Sequence, residues 1–205
     1  MIHNNPNEKY RITYPYTWWD GLFTPSELDD IMEYCDIQGT ERSNTVTPDG
    51  ESPNEEIRRS NVRFHTPNND TMWIFDRFNE VINQINDRFY GFDLIGYDSF
   101  QYGEYSAEEH GKYDWHMDTI LGIGRGDNMI LTRKLSLSLL LNQPDEDFEG
   151  GEFEINQGDQ SCPYAPEFEK GRIIAFPSFM IHRVKPVTSG TRKSIVIWVS
   201  GPKFR

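Results

Sequence analysis

The stretch Arg172-Ile173-Ile174-Ala175-Phe176-Pro177-Ser178-Phe179-Met180-Ile181-His182-Arg183-Val184-Lys185-Pro186-Val187 continues through Thr188-Ser189-Gly190-Thr191-Arg192 to Trp198. It reads as three short apolar β-runs, 172–176, 181–186 and 193–200, separated by Pro, Ser and Gly turn residues. The same punctuation reaches back to Gly91, with further runs at 92–105, 113–121, 129–142 and 152–155. Seven or so short strands with Gly, Pro and Asp turns predict a β-sandwich or jelly roll.

Ahead of Gly91 the period changes. Thr24-Pro25-Ser26-Glu27 is a capping box with proline at the first helical position. Leu28, Ile31, Met32 and Cys35 then repeat at helical spacing until Gly39. A second helix is expected from about Asp70, with Ile74, Phe75, Phe78, Val81, Ile82, Ile85 and Phe89 on one side and Gly91 closing it. Tyr14 to Trp19 reads as a strand, and both helices are expected to precede the main strands. Glu41 to Asn61 is polar, carries a Pro48-Asp49-Gly50 turn and offers almost nothing to bury, so it is expected to be a long mobile loop and a substrate lid. With 205 residues and no repeat, linker or low-complexity tract, the chain is expected to be a single domain. Helical support would occupy about 1–91 and the β-core about 92–205.

Charge and cysteine content narrow the function. Lys and Arg number 20 against 33 Asp and Glu, a formal charge of -13 that repels a phosphate backbone, so nucleic acid is not the expected partner. Cys35 and Cys162 lie far apart and form no CxxC pair; Cys35 reads as a buried thiol. The sequence has no apolar run of membrane-spanning length and no apolar signal core near Met1, so a cytoplasmic location away from membranes is expected. Gly122-Ile123-Gly124-Arg125-Gly126-Asp127 lacks the residues of a phosphate loop and reads as a hairpin turn. Gly150-Gly151-Glu152-Phe153 reads as a turn entering a strand. The glycosylation pattern Asn69-Asp70-Thr71 has no secretion signal to act with.

The chemistry concentrates in few residues. Of five histidines, His116 stands two positions before Asp118, which on a strand puts both side chains on one face. His182 opens a later strand. Arg192, across the expected turn Thr188-Ser189-Gly190-Thr191, shares a face with Ser194, Val196 and Trp198 by the period of two. Two histidines and an aspartate on adjacent strands make a facial triad that leaves half of an octahedral Fe(II) site open. An arginine pointing into the same barrel can pair bidentately with a carboxylate. His3, His65 and His110 read as surface or internally satisfied residues.

The chain here resembles the Fe(II)/2-oxoglutarate dioxygenases, in their prolyl 4-hydroxylase-like branch and close to the PKHD-type hydroxylases. The likeness runs from about Tyr105 to Ser200 through Tyr113-Asp114-Trp115-His116-Met117-Asp118, through Leu139-Leu140-Leu141-Asn142 with Gly150-Gly151-Glu152, and through Phe176 to Trp198. The resemblance implies a double-stranded β-helix with His116, Asp118 and His182 as iron ligands. Arg192 would hold the distal carboxylate of 2-oxoglutarate, with Tyr105 donating to the co-substrate and Val184 packed beside it. Some relatives carry a tyrosine near position 140; Leu140 cannot donate a hydrogen bond, and Ser138 is the candidate substitute. Tyr113 and Trp198 are candidates for the substrate pocket.

The implied reaction consumes 2-oxoglutarate and O2, releases succinate and CO2, and hydroxylates an unactivated C–H bond, with ascorbate as a candidate reductant. The expected substrate is a prolyl residue in a peptide or protein, and the acidic surface would favour a basic target. The alternatives are a hydroxylase of a free amino acid or other small molecule, and a non-catalytic β-barrel binding module.

Overall fold

The computed structural model describes residues 14–47, 50–52, 54–119, 124–125, 129–159 and 161–203. Strand β1 (Thr17–Trp19) leads into helix α1 (Pro25–Gln38). The capping box is formed: the Thr24 hydroxyl accepts from the Glu27 amide at 3.3 Å, and the Thr24 amide donates to Glu27 Oε2 at 2.8 Å. Leu28, Ile31 and Cys35 are the buried positions of α1.

The segment expected to be a loop contains short strands, of which the first and last join the two main sheets and the middle two pair only with each other. It carries β2 (Glu41–Arg42), β3 (Thr45–Thr47), β4 (Gly50–Ser52) and β5 (Arg58–Arg59), and it runs into β6 (Asn61–His65). Ser43, Arg58 and Ser60 are buried, against the expectation that this stretch has nothing to bury. Strands therefore lie between the helices as well as after them. Pro48, Asp49 and Pro53 lie outside the described residues.

Helix α2 (Met72–Ile85) starts two residues later than its apolar pattern suggests. The Asn68 side chain accepts from the amides of Asp70 and Thr71, which holds them in a turn before the helix. A π-helical turn, Asn86–Tyr90, follows and ends at Gly91.

The remaining elements are β7 (Phe100–Ser106), a 3-10 turn at Ala107–Glu109, β8 (Lys112–His116), β9 (Gly124–Arg125), β10 (Met129–Leu140), β11 (Phe148–Gly150), β12 (Phe153–Asn156), β13 (Ile173–Pro177), β14 (Ile181–Val184) and β15 (Val187–Pro202). The expected run from Phe92 becomes a strand only at Phe100. The expected turn at Thr188–Thr191 is strand: β15 runs straight through it, paired to β11, and Lys185 and Pro186 are the two residues between β14 and β15, where the chain passes from one sheet to the other. Gly190 is what permits this pairing, since a Cβ there would lie 2.1 Å from the Asp147 carbonyl oxygen. The hairpin expected around Gly124 is present in the pairing of β9 with β10; residues 120–123 and 126–128 lie outside the described ones.

Two sheets face each other in a double-stranded β-helix. One has the order β1-β13-β10-β15-β7-β6-β2, and the other β12-β14-β8-β5. Strand alternation divides the core. Leu135, Leu137 and Leu139 of β10 and Ile195, Ile197 and Val199 of β15 pack toward the helices. The intervening Ser136, Ser138 and Leu140, paired with Trp198, Val196 and Ser194, face inward. The inner apolar cluster joins Tyr105, Leu140, Phe148, Phe153, Ile155, Ile174, Phe176, Val184 and Val187.

Candidate active site

His116 and His182 are direct cross-strand partners in the pairing of β8 with β14, and their ring centroids lie 4.1 Å apart. Asp118 follows the end of β8, where its amide donates to the Ser178 carbonyl at 3.0 Å. Its carboxylate oxygens sit 3.7 Å from His116 Nε2 and 3.5 Å from His182 Nε2. One donor atom from each residue lies within 4.8 Å of the others.

The proton positions follow from the surroundings. His116 Nδ1 bonds the Asp114 carbonyl at 2.8 Å, and His182 Nδ1 bonds the Met180 carbonyl at 2.9 Å. A carbonyl oxygen only accepts, so both Nδ1 atoms carry hydrogen and each ring turns Nε2 toward Asp118. Burial, with His182 beside it, pushes His116 down to about 3, so the ring is neutral at physiological pH. Burial works against ionisation of Asp118, yet His182, His116 and the Ser136 hydroxyl together hold its carboxyl below the usual carboxylate range. Two imidazole Nε2 atoms and one carboxylate thus converge, one donor atom from each within 4.8 Å of the others. This donor set fits a divalent transition metal such as Fe(II), and the backbone carbonyls behind the rings fix their orientation.

The support around Asp118 includes a residue that sequence reading passed over. Ser136 Oγ donates to Asp118 Oδ2 at 2.7 Å and lies 2.9 Å from Ser178 Oγ. Trp198 occupies the same rim; its ring N–H is buried without a hydrogen-bond partner, and the Arg133 guanidinium lies 4.1 Å over its ring.

Arg192 is 1 % exposed and pairs across the sheet with Tyr105. Nη1 donates to Ser194 Oγ at 3.0 Å, while Nη2 is buried with no partner. Among the described residues no carboxylate is within ion-pair distance of it. Burial lowers the guanidinium to about 10. Tyr105 and Phe168 line its flanks, with ring centroids 5.6 and 5.5 Å from its central carbon. At Gly151, with φ +66°, a Cβ would come within 3.0 Å of Arg192 Cδ and Val187 Cγ2, so glycine makes room for the arginine stem. A buried cation with an unused donor suits an anionic ligand with a carboxylate.

Of the other expected residues, Val184 and Tyr105 share the inner cluster. Ser138 is buried on the inner face between Val196 and Ile174, whereas the hydroxyl bonded to Arg192 is that of Ser194. Tyr113 stacks flat on His116 at 3.4 Å and 10°. The Arg58 guanidinium lies 4.5 Å over the opposite partner of that stack, the Tyr113 ring. Arg58 was absent from the sequence-based candidates because it sits in the polar stretch read as a loop. His65 corrects the reading of the spare histidines: it is buried, stacks on Phe100 at 5.0 Å, and its Nε2 has no partner. His110 is exposed, and His3 lies outside the described residues.

Residues 100–200 match the family profile of the 2OG-Fe(II) oxygenase superfamily. The chain is 35% identical over 98 residues to a PKHD-type hydroxylase of Janthinobacterium sp., covering 48% of this chain and 41% of that protein. It is 36% identical over 96 residues to a PKHD-type hydroxylase of Psychrobacter sp., covering 46% and 36%. The match thus spans less than half the length of these curated relatives. In fold it is similar to a prolyl-4-hydroxylase of Pseudomonas putida, with TM-score 0.69, 18% identity and coverage of 93% and 95%. A prolyl hydroxylase of Trichoplax adhaerens, solved with a hypoxia inducible factor peptide fragment, gives TM-score 0.68, 17% identity and coverage of 90% and 83%. The likeness to the 2OG-Fe(II) oxygenase superfamily thus lies in residues 100–200, and the chemistry of that family uses Fe(II), 2-oxoglutarate and O2.

Proposed function

We propose that the protein is an Fe(II)- and 2-oxoglutarate-dependent hydroxylase acting on a prolyl residue of a peptide or protein. The observation that carries this reading is the combination, within one barrel, of three converging lone-pair donors and a buried guanidinium whose Nη2 has no partner. His116, Asp118 and His182 would hold the iron. When bound, iron with 2-oxoglutarate and O2 supplies the oxidation: the co-substrate leaves as succinate and CO2, and one oxygen atom replaces hydrogen on the target carbon as hydroxyl.

The protein's own residues orient and exclude. Asp114 and Met180 carbonyls hold the two imidazoles by their Nδ1 hydrogens, and Ser136 holds the carboxylate. Arg192 pairs with the distal carboxylate of 2-oxoglutarate, Tyr105 flanks it, and the surrounding Leu140, Ile174 and Val184 keep water from that pair. Tyr113 and Trp198 line the metal-facing rim where a substrate would lie. The prolyl assignment is supported by the fold likeness to prolyl hydroxylases, one of them peptide-bound, and by the PKHD-type relatives.

The test is succinate release with Fe(II), 2-oxoglutarate and a panel of proline-containing peptides, with free amino acids in parallel and mass spectrometry for the gain of one oxygen. Peptide hydroxylation is the expected result. Hydroxylation of free amino acids alone would replace the substrate assignment, and absence of both Fe(II) binding and 2-oxoglutarate turnover would make the chain a binding module.

A further inference from the structure

Arg58 is a second buried cation in the same barrel, and the functions assigned above leave it unused. It is 6 % exposed, and it donates to neutral acceptors: Nε to Ser60 Oγ at 2.8 Å and Nη2 to Gln101 Oε1 at 3.3 Å. Ser60 in turn donates to Ser43 Oγ at 3.0 Å, which leaves its lone pairs turned to the guanidinium. Backbone pairing of Arg58 with Tyr113 and a bond from the Asp114 amide to the Ile57 carbonyl at 2.8 Å fix the residue in place. The side chain lies over Tyr113, which covers His116. Among the described residues no carboxylate is within ion-pair distance of Arg58, and its acceptors there are Ser60 Oγ and Gln101 Oε1.

The two guanidiniums occupy different ends of one row. Along the inner face of β7, Gln101 takes the bond from Arg58 and Tyr105 is the cross-strand partner of Arg192, four residues or about 13 Å away. The co-substrate end is therefore served by Arg192, and Arg58 serves the rim beside the histidine stack. We propose that Arg58 is a carboxylate-binding specificity residue, so that the enzyme's substrate carries an anionic carboxylate next to the reacting carbon. This rests on the hydroxylase reading above and replaces the basic target suggested by the net charge of -13. That charge acts on approach and is screened within about 8 to 10 Å in physiological salt, whereas a guanidinium held out of water acts on contact. The carboxylate could be the terminus of a peptide, an Asp or Glu side chain beside the target, or that of a free amino acid.

The experiment separates these sources by matched pairs. The protein, loaded with Fe(II) and saturated with 2-oxoglutarate under anaerobic conditions so that Arg192 is occupied, is titrated calorimetrically with three pairs of probes. These are N-acetylproline and N-acetylprolinamide, a capped prolyl peptide with Glu or Gln beside proline, and free proline and prolinamide. At least one carboxylate member is expected to bind about tenfold or more tightly than its amide. The ratio should fall toward one in Arg58→Gln and be partly retained in Arg58→Lys, which keeps the charge and loses the fork. A residue that merely clamps Tyr113 would weaken both members of a pair alike. Wild-type ratios of one or less in every pair, including no binding of any carboxylate, overturn the proposal, as does a preference that survives Arg58→Gln. Should Arg58→Gln not fold, an unchanged preference in Arg58→Lys overturns it. Loss of Fe(II)-dependent succinate release in the wild type would instead refute the hydroxylase reading, a separate measurement from these ratios.

Discussion

Replacing Arg192 by methionine is expected to raise the stability of the ligand-free protein and to abolish tight 2-oxoglutarate binding. The guanidinium is 1 % exposed, has one hydrogen bond to a neutral hydroxyl and leaves Nη2 with no partner. Its lowering from 12.5 to about 10 corresponds to roughly 3 kcal/mol against the charged form, an order-of-magnitude figure. Methionine keeps most of the apolar stem that passes Gly151 and Val187 and removes the uncompensated charge. A gain of about 1 to 3 kcal/mol should raise Tm by roughly 2 to 10 °C for a chain of this size. Loss of the desolvated bidentate pair should weaken 2-oxoglutarate binding by about 2 to 5 kcal/mol, on the order of 30-fold to several thousand-fold. Differential scanning fluorimetry without ligands reads the first effect, and anaerobic calorimetry with Fe(II) and 2-oxoglutarate reads the second. A lower Tm together with unchanged 2-oxoglutarate affinity would refute the argument that this cation is held unpaired for an anion.

His116→Ala and His182→Ala should each lose stoichiometric Fe(II) binding, because an open triad has no spare ligand; wild-type iron affinity in either variant rules out the cluster as the metal site. His65 is lowered below 6.5 by burial and by Arg63, so the unfolded chain binds its proton more readily than the folded one. Its contribution is therefore complete above about pH 6.5 and lost as pH falls, by up to about 1.4 kcal/mol per pH unit. His65→Phe should flatten the pH dependence of Tm between pH 6.5 and 5 relative to wild type, and an identical slope contradicts it. Cys162 is exposed, whereas burial pushes the Cys35 thiol up to about 12. A thiol reagent at pH 8 should therefore titrate one cysteine rapidly in the native protein and the second only in denaturant; two fast thiols would show that α1 does not seal Cys35.

The parts of the fold that sequence reading found are those where one face is buried and the other is not. Leu28, Ile31 and Cys35 repeat at helical spacing against one surface, and the alternation of Leu135, Leu137 and Leu139 with Ser136 and Ser138 follows the two faces of β10. The triad and Arg192 were legible for the same reason, since a spacing of two fixes His116 and Asp118 to one side and a turn brings His182 beside them. Strand ends were less legible. Thr188 to Thr191 have turn composition, yet β11 pairs with them because Gly190 admits the Asp147 carbonyl, a contact between segments some forty residues apart. Arg58 is the largest loss. Its neighbours in sequence are polar, no period marks it, and its burial arises from pairing with Tyr113, which only the folded sheet supplies.

Buried polar atoms left without partners are not by themselves a mark of function. His65 Nε2 is one, and it lies in the helix-facing core among Tyr34 and Phe100, where nothing else converges on it. Among the described residues the other two are Arg192 Nη2 and Trp198 Nε1, on β15 in the sheet that faces the one carrying His116 and His182. An isolated unpaired group costs stability, and the fold tolerates one beside a well-packed core. Groups of opposite character on the two facing sheets of one barrel are explained together by ligands that satisfy them together. That shared explanation is why the loss of Arg192 should stabilise the ligand-free chain while the loss of a ligand histidine should chiefly remove the metal.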